Sequence, residues 1–155
     1  MHIGYLADHL THVPIVAQWI HAQWGYMNPE KTLGQRMEKL KKGATRGGIP
    51  TTIVAFYADS LAGTASLVKH DMETHRELTP WLASVYVAQE YRNQGIGSAL
   101  VQQIIKEARI LSVETLYLFT FDRESFYARL GWQKICNDAY LGAKVTIMEL
   151  GLADT

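Results

Sequence analysis

Two short stretches of this chain hold residue types whose spacing can do chemistry. In the first, 92–98, Arg92, Asn93 and Gln94 lead into Gly95 and Gly97, with Ile96 between the glycines and Ser98 after them. Glycine takes φ > 0 and lets a ligand approach the backbone with no Cβ in the way. An apolar strand pattern, Trp81–Val87, precedes this loop and an amphipathic helical pattern follows it. The first N–H groups of a helix lack intrahelical partners and carry partial positive charge, and Arg92 adds a fixed cation. This order of strand, polar loop, glycines and helix points to an anionic, phosphate-bearing ligand. Two rival phosphate motifs do not fit. A dinucleotide fingerprint wants a third glycine where Leu100 stands, and a Walker loop wants a Gly-Lys-Ser/Thr that the chain lacks.

The second stretch is 125–132, SFYARLGW. Tyr127 falls on a short helix one turn before Gly131, a placement that can present its hydroxyl to a cleft as a proton donor to a leaving group of high pKa, such as a thiolate. The plainer reading is a core tyrosine with its hydroxyl at the surface. The six histidines have no metal-ligand spacing, so no metal site is expected. His70, Asp71, Glu73 and Glu77 form a polar cluster that reads as a solvated loop or as a substrate-facing one. Lys39, Lys41 and Lys42 read as the exposed end of a helix, where cations favour the dipole. Trp19, Trp24 and Tyr26 read as packing residues.

The elements that must position these groups follow from periodicity. Residues 3–6 form a short strand. Thr11 is the expected N-cap of a helix reaching Trp24, with Pro14 in its first turn and Val13, Val16, Ala17, Ile20 and Trp24 on one face. A second helix spans 30–42 with Leu33, Met37 and Leu40 inward. Strands at 51–57 and 61–68 are joined by the short link 58–60 as a hairpin. After the strand 81–87 and the glycine loop, Ile96, Leu100, Ile104, Ala108 and Leu111 make the apolar stripe of a helix. Residues 115–121 are a strand, 124–130 a short helix, and 132–136 and 144–150 two closing strands. No repeat, low-complexity tract or linker interrupts residues 1–155, which read as one mixed α/β or α+β domain.

Composition narrows the function. The 155 residues are 48% hydrophobic and 19% charged, with 15 basic and 15 acidic side chains and a formal net charge of zero. Nucleic-acid binding usually shows as a basic excess, so no nucleic-acid partner is expected. A single cysteine, Cys136, allows no internal disulfide and fits a reducing, cytoplasmic setting. No apolar run reaches the roughly 18–20 residues of a membrane span, and the N-terminus lacks the regions of a signal peptide.

Taken together, these stretches resemble the GNAT superfamily of acyl-CoA N-acetyltransferases. RNQGIG is similar to that family's Gln/Arg-x-x-Gly-x-Gly/Ala signature, and SFYARLGW to its closing aromatic segment. The resemblance implies a mixed, mainly antiparallel central sheet flanked by helices, and acetyl-CoA as cosubstrate. It implies that Val85, Tyr86 and Val87 pair main-chain groups with pantetheine as an added strand would. Arg92, Asn93, Gln94, Gly95, Ile96, Gly97 and Ser98 would hold the pyrophosphate, and Tyr127 would protonate the departing thiolate. Where family members often carry an asparagine seven residues before that tyrosine, this chain has Thr120. The implied reaction is direct attack of an amine on the thioester in a ternary complex, with a backbone N–H of the 81–87 strand steadying the oxyanion.

No carboxylate lies between Trp81 and Val87, which leaves the base to Glu73, Glu77 or His70, or to a water ordered by Tyr86 or Ser84. A small-molecule primary amine is the expected acceptor. The alternatives are a protein or peptide N-terminus, or a non-catalytic acyl-CoA sensor. The resemblance also raises a homodimer.

Overall fold

A computed structural model describes residues 1–152. The chain builds one seven-stranded sheet from β1 (His2–Tyr5), β2 (Thr51–Tyr57), β3 (Ser60–Val68), β4 (Trp81–Val87), β5 (Thr115–Thr120), β6 (Gln133–Tyr140) and β7 (Ala143–Gly151). Its spatial order is β1-β2-β3-β4-β5-β7-β6. Every neighbouring pair is antiparallel except β4 with β5, which is parallel. That is the mixed, mainly antiparallel sheet expected from the sequence.

Among the described residues four α-helices flank the sheet: α1 (Val13–Trp24), α2 (Leu33–Lys42), α3 (Ile96–Ile110) and α4 (Glu124–Arg129). Alternation along the strands decides which helix meets which face. On β2, Ile53 joins the core that includes Ile96, Leu100 and Ile104 of α3. Its neighbour Val54 packs with Leu6, Val13 and Val16, and Met37 and Leu40 of α2 close over that second core. Each such fully buried aliphatic side chain contributes about 1.5–3 kcal/mol. A third cluster, Met72, Trp81, Val145 and Ile147, lies under the loop between β3 and β4.

Local chemistry sets the turns. The β2–β3 hairpin turns on Ala58 and Asp59, at φ +49° and +68°, the two positive angles that a two-residue turn matched to strand twist requires. Helix α2 starts at Leu33, not residue 30, because Thr32 and Gln35 form a reciprocal capping box: the Gln35 N–H donates to Thr32 Oγ1 (3.1 Å) and the Thr32 N–H to Gln35 Oε1 (2.8 Å). Thr11 is not the cap of α1. Leu10–His12 is a 3₁₀ turn, His12 takes the cap position, and Thr11 stays exposed. Leu111 falls beyond α3 and is 39% exposed, so the buried stripe ends at Ala108. The closing strands run longer than their apolar cores: β6, an edge strand, continues through the polar residues Asn137 and Asp138 to Tyr140.

Candidate functional site

The parallel neighbours β4 and β5 begin side by side and then part. The Tyr117 N–H donates to the Pro80 carbonyl (3.1 Å), and their register pairing is confined to Trp81 and Tyr117. Beyond that point β4 stays with β3 and β5 stays with β7, so the sheet splits. A cleft of about 1450 Å³ opens in the split. Burial along β4 follows suit: Trp81, Leu82 and Ala83 are core, whereas Ser84, Val85, Tyr86 and Val87 are half-buried and line the cleft.

A bulge shapes this wall. Thr64 pairs with Tyr86 and Ser66 with Ala83, so β4 carries one residue more than β3 over this interval, and Ser84 sits at φ +55°. A bulge takes a residue out of the ladder and re-aims its neighbours. It thereby offers backbone polar groups of β4 to the cleft instead of to β3. The strand is held close by Gly63, where a Cβ would meet the Tyr86 carbonyl oxygen at 2.8 Å and Leu100 Cδ1 at 3.0 Å.

Past Val87 the chain turns through the glycine loop. Gly95 is the N-cap of α3 at φ +80°, and a Cβ there would point into open space. The N-terminus of α3 therefore faces the cleft with no side chain across it, and Gly95, Ile96, Gly97 and Ser98 all line the cavity. Arg92 lies on the same wall. Its Nε donates to the Val87 carbonyl (2.9 Å) and its guanidinium sits 5.5 Å from the Tyr86 ring centroid, which fixes the direction of the remaining N–H groups. Asn93, at φ +65°, also lines the cavity. Gln94, expected beside it, is exposed and does not line the cleft.

Tyr127 enters from the opposite side. Helix α4 places it in the cleft wall at 8% exposure, packed edge-on to Phe126 (5.0 Å) and Trp132 (6.1 Å). Burial pushes its hydroxyl up to about 12 against the opposing pull of Arg123, so it keeps its proton throughout the neutral range. Thr120 shapes the backbone here, since its Oγ1 accepts the Arg123 N–H (3.0 Å) and sets the turn from β5 into α4. Trp24 lines the cleft, and both Trp19 and Trp24 pack on Tyr86 (5.2 and 6.4 Å), so these tryptophans form the backing of one wall; Tyr26 is 67% exposed.

The polar loop 69–80 closes the other end. Thr79 Oγ1 donates to the Lys69 carbonyl (2.6 Å), Trp81 Nε1 to the Leu78 carbonyl (2.7 Å), and Met72 is fully buried. His75 Nε2 reaches Asp138 Oδ2 of β6 at 2.6 Å and its Nδ1 reaches Glu77 at 3.2 Å. This engages Glu77, which is exposed and outside the cleft. Glu73 lines the cleft but pairs with Arg76 (2.9 Å), and His70 lines it with a buried, unpartnered Nδ1. Asp71, one residue on, also lines the cavity. Lys31, Arg36 and Lys39, which no local pattern singled out as site residues, face the same space. Among the described residues no group of three metal-binding side chains forms a metal site, and no helix is long and apolar enough to cross a membrane.

Comparison with known proteins agrees with this geometry. The model of the acetyltransferase (GNAT) family matches residues 14–132. No curated protein matches the sequence. Among solved structures, the chain is similar to a ribosomal-protein-alanine N-acetyltransferase from Brucella melitensis, at 20% identity and TM-score 0.77 over 98% of this chain and 100% of that one. It is similar also to an aminoglycoside 6'-acetyltransferase type Ii, at 16% identity and TM-score 0.75 over 100% and 99%. A third is yncA from Salmonella typhimurium with its cofactor acetyl-CoA, at 18% identity and TM-score 0.71 over 100% and 95%. These likenesses are of fold. The family match is of sequence, and it takes in both the glycine loop and the Tyr127 helix, so the protein belongs to the acetyltransferase (GNAT) family and is an acetyltransferase that uses acetyl-CoA.

Proposed function

We propose that this protein transfers the acetyl group of acetyl-CoA to a primary amine of a small molecule, by direct attack with both substrates in the cleft. One observation carries the reading: the split between β4 and β5 opens onto the α3 N-terminus on one side and a buried, protonated Tyr127 on the other. Acetyl-CoA supplies a thioester carbonyl and, on its loss, a thiolate. The residues present fit it. Open space over Gly95 leaves room for a pyrophosphate against the α3 N–H groups, with Arg92, Asn93, Ile96, Gly97 and Ser98 lining the same loop. The edge of β4 left free by the split, Val85, Tyr86 and Val87 after the bulge at Ser84, offers main-chain groups to the pantetheine amides, as an added strand would. A bulge N–H of β4 also suits a developing oxyanion, because it is fixed before the reaction begins.

Tyr127 donates its hydroxyl proton to the thiolate. Burial raises its pKa, and the same apolar surroundings raise that of a thiolate expelled beside it, so donor and acceptor shift together. Holding amine and thioester in one cleft replaces a chance encounter by an oriented one. A compact acceptor suits the surroundings better than a peptide terminus, because Met27 and Asn28 after α1 and the loop residues His70 and Asp71 flank the acceptor end from two sides.

Calorimetric titration with acetyl-CoA, CoA, ATP and NAD tests the first link. One-site binding of acetyl-CoA and CoA, without ATP or NAD, is the expected result. Failure to bind either thioester or thiol would return the glycine loop to an ordinary turn.

A further inference from the structure

The wall opposite the glycine loop carries an unbalanced charge. Lys31, Arg36, Lys39 and Lys42 face the cleft from the α1–α2 connection and α2, and Lys69 from the β3 end. None of these forms an ion pair among the described residues, whereas Lys41, off the cleft, is paired with Glu38. Two carboxylates share this wall, and one of them, Glu73, is already met by Arg76. Arg36 is further constrained. Its Nε donates to His21 Nδ1 (3.0 Å), which fixes the guanidinium plane, while Nη2 is buried with no partner. A buried, unpaired guanidinium nitrogen is costly unless an anion completes it. Asp71 stands among these cations on a loop anchored by the buried Met72 and the Thr79–Lys69 clip.

We propose that the acceptor is a primary amine carrying its own anionic group, a carboxylate or a phosphonate. Its amine points to Asp71 and its anion to the Lys31, Arg36 and Lys39 wall. This rests on the amine-acetylation reading above and names its substrate class. The amine arrives as an ammonium and gives one proton to an Asp71 carboxylate oxygen, and the freed lone pair attacks the thioester carbon. As the C–N bond forms and the C–S bond breaks, the sulfur takes the Tyr127 proton. The second nitrogen proton passes through water to the phenolate, and Asp71 releases its own to solvent.

Desolvation sets the Asp71 carboxyl at about 6, with Lys39 and then Lys31 pulling it down. His70 and Glu73 on its own loop and Tyr140 of β6 are its other titratable neighbours, and Tyr140 is itself held up in part by Asp71. A carboxylate titrating there is ionised at neutral pH yet basic enough to accept a proton in transit. A polycationic acceptor would meet like charge on this wall instead.

The test compares matched acceptors by CoA release: phenylalanine against phenylalaninamide, 2-aminoethylphosphonate against ethanolamine, and spermidine as polycation. The amide's amine is less basic and more of it is neutral at pH 7, so basicity alone favours the amide. We expect the anionic member of at least one pair to win by about tenfold or more in kcat/KM, the scale of one charge-assisted contact; which pair wins tells carboxylate from phosphonate. The double variant Lys31→Met with Lys39→Met removes that preference through KM. Asp71→Asn lowers kcat and abolishes the acid limb of the pH–rate profile near 6, and Asp71→Glu restores part of both. Equal use of both members of each pair, or a preference for spermidine, overturns the proposal and leaves N-acetylation standing. Failure of every amine while acetyl-CoA still binds by calorimetry overturns both.

Discussion

The two walls of the cleft are built on opposite principles. The glycine wall, from the β4 bulge through Gly95 and Gly97 to the first turn of α3, is made of backbone. Apart from the Arg92 guanidinium, its polar groups are N–H groups that any residue would supply, and side chains matter there chiefly by their absence. The loop wall is made of side chains brought from separate parts of the chain: Lys31, Arg36 and Lys39 from around α2, Asp71 from the β3–β4 loop, and Tyr140 from β6. A backbone site leaves a local, readable signature because special φ angles and close approach need glycine at fixed spacing. A side-chain site drawn from distant segments leaves none. On the proposed reading, the first wall meets the cosubstrate and the second the acceptor.

Four substitutions test the contrast between the two walls. The largest effect is expected from Gly97→Glu, which puts a long, negatively charged side chain on the backbone wall. Its Cβ meets only ordinary contacts, Phe126 Cζ at 3.6 Å and Val87 Cγ2 at 3.7 Å, so the fold should survive. Saturable CoA binding should vanish in calorimetry while circular dichroism stays unchanged, and unaltered affinity would remove the loop from its assigned role.

Next is Tyr127→Phe. A positioned general acid is worth about 10²–10⁴-fold, so turnover should drop by that factor with CoA affinity nearly constant. A fully active variant would take Tyr127 out of the chemistry.

Smaller, and structural, is Gly63→Ala. The new methyl collides with the Tyr86 carbonyl and Leu100, and overpacking of this kind costs about 1–3 kcal/mol. For a chain of this size each 1 kcal/mol lowers Tm by about 2–4 °C. A thermal melt matching wild type would show that β3 and β4 are not held together as tightly as these distances imply.

The smallest change probes the clasp on the loop wall. The hydrogen bond that Asp138 accepts from His75 raises the His75 pKa above its ordinary value, and the same bond lowers that of Asp138. The histidine contribution is complete below its ordinary value of 6.5 and fades as pH rises through the raised one. The Asp138 contribution is present above its ordinary 3.8 and fades as pH falls through the lowered one. Both partners are partly exposed, so the effect is modest. The Tm difference between wild type and His75→Gln should be larger near pH 5.5 than near pH 8.5, and a difference that does not change with pH would dismiss the clasp.

Much of this was legible in the residues themselves. β-rich apolar runs and period-3.6 stripes placed all seven strands and four helices: a strand buried on both faces, such as β2, reads as a continuous apolar run, and a helix such as α3 records its buried stripe at spacings of three and four. The misplaced boundaries have local causes. The start of α2 at residue 30 is three residues early, although Thr32 and Gln35 carry the capping signal. Leu111 continued the stripe of α3 by spacing alone, but the helix stops at Ile110.

The strand–glycine–helix unit at 81–110 and the tyrosine helix before Gly131 follow from the order of residues alone, since both are contiguous and obey local backbone rules. The family match covers both of these stretches. Only the tertiary structure decided that β4 and β5 separate after Trp81 and Tyr117, because pairing between strands so far apart in the chain is a property of the whole sheet. Only it brought Asp71 among Lys31, Arg36 and Lys39 while turning Glu77 away to His75. Those residues stand near one another because two loops and a helix pack over one cleft, and no spacing along the chain encodes that meeting.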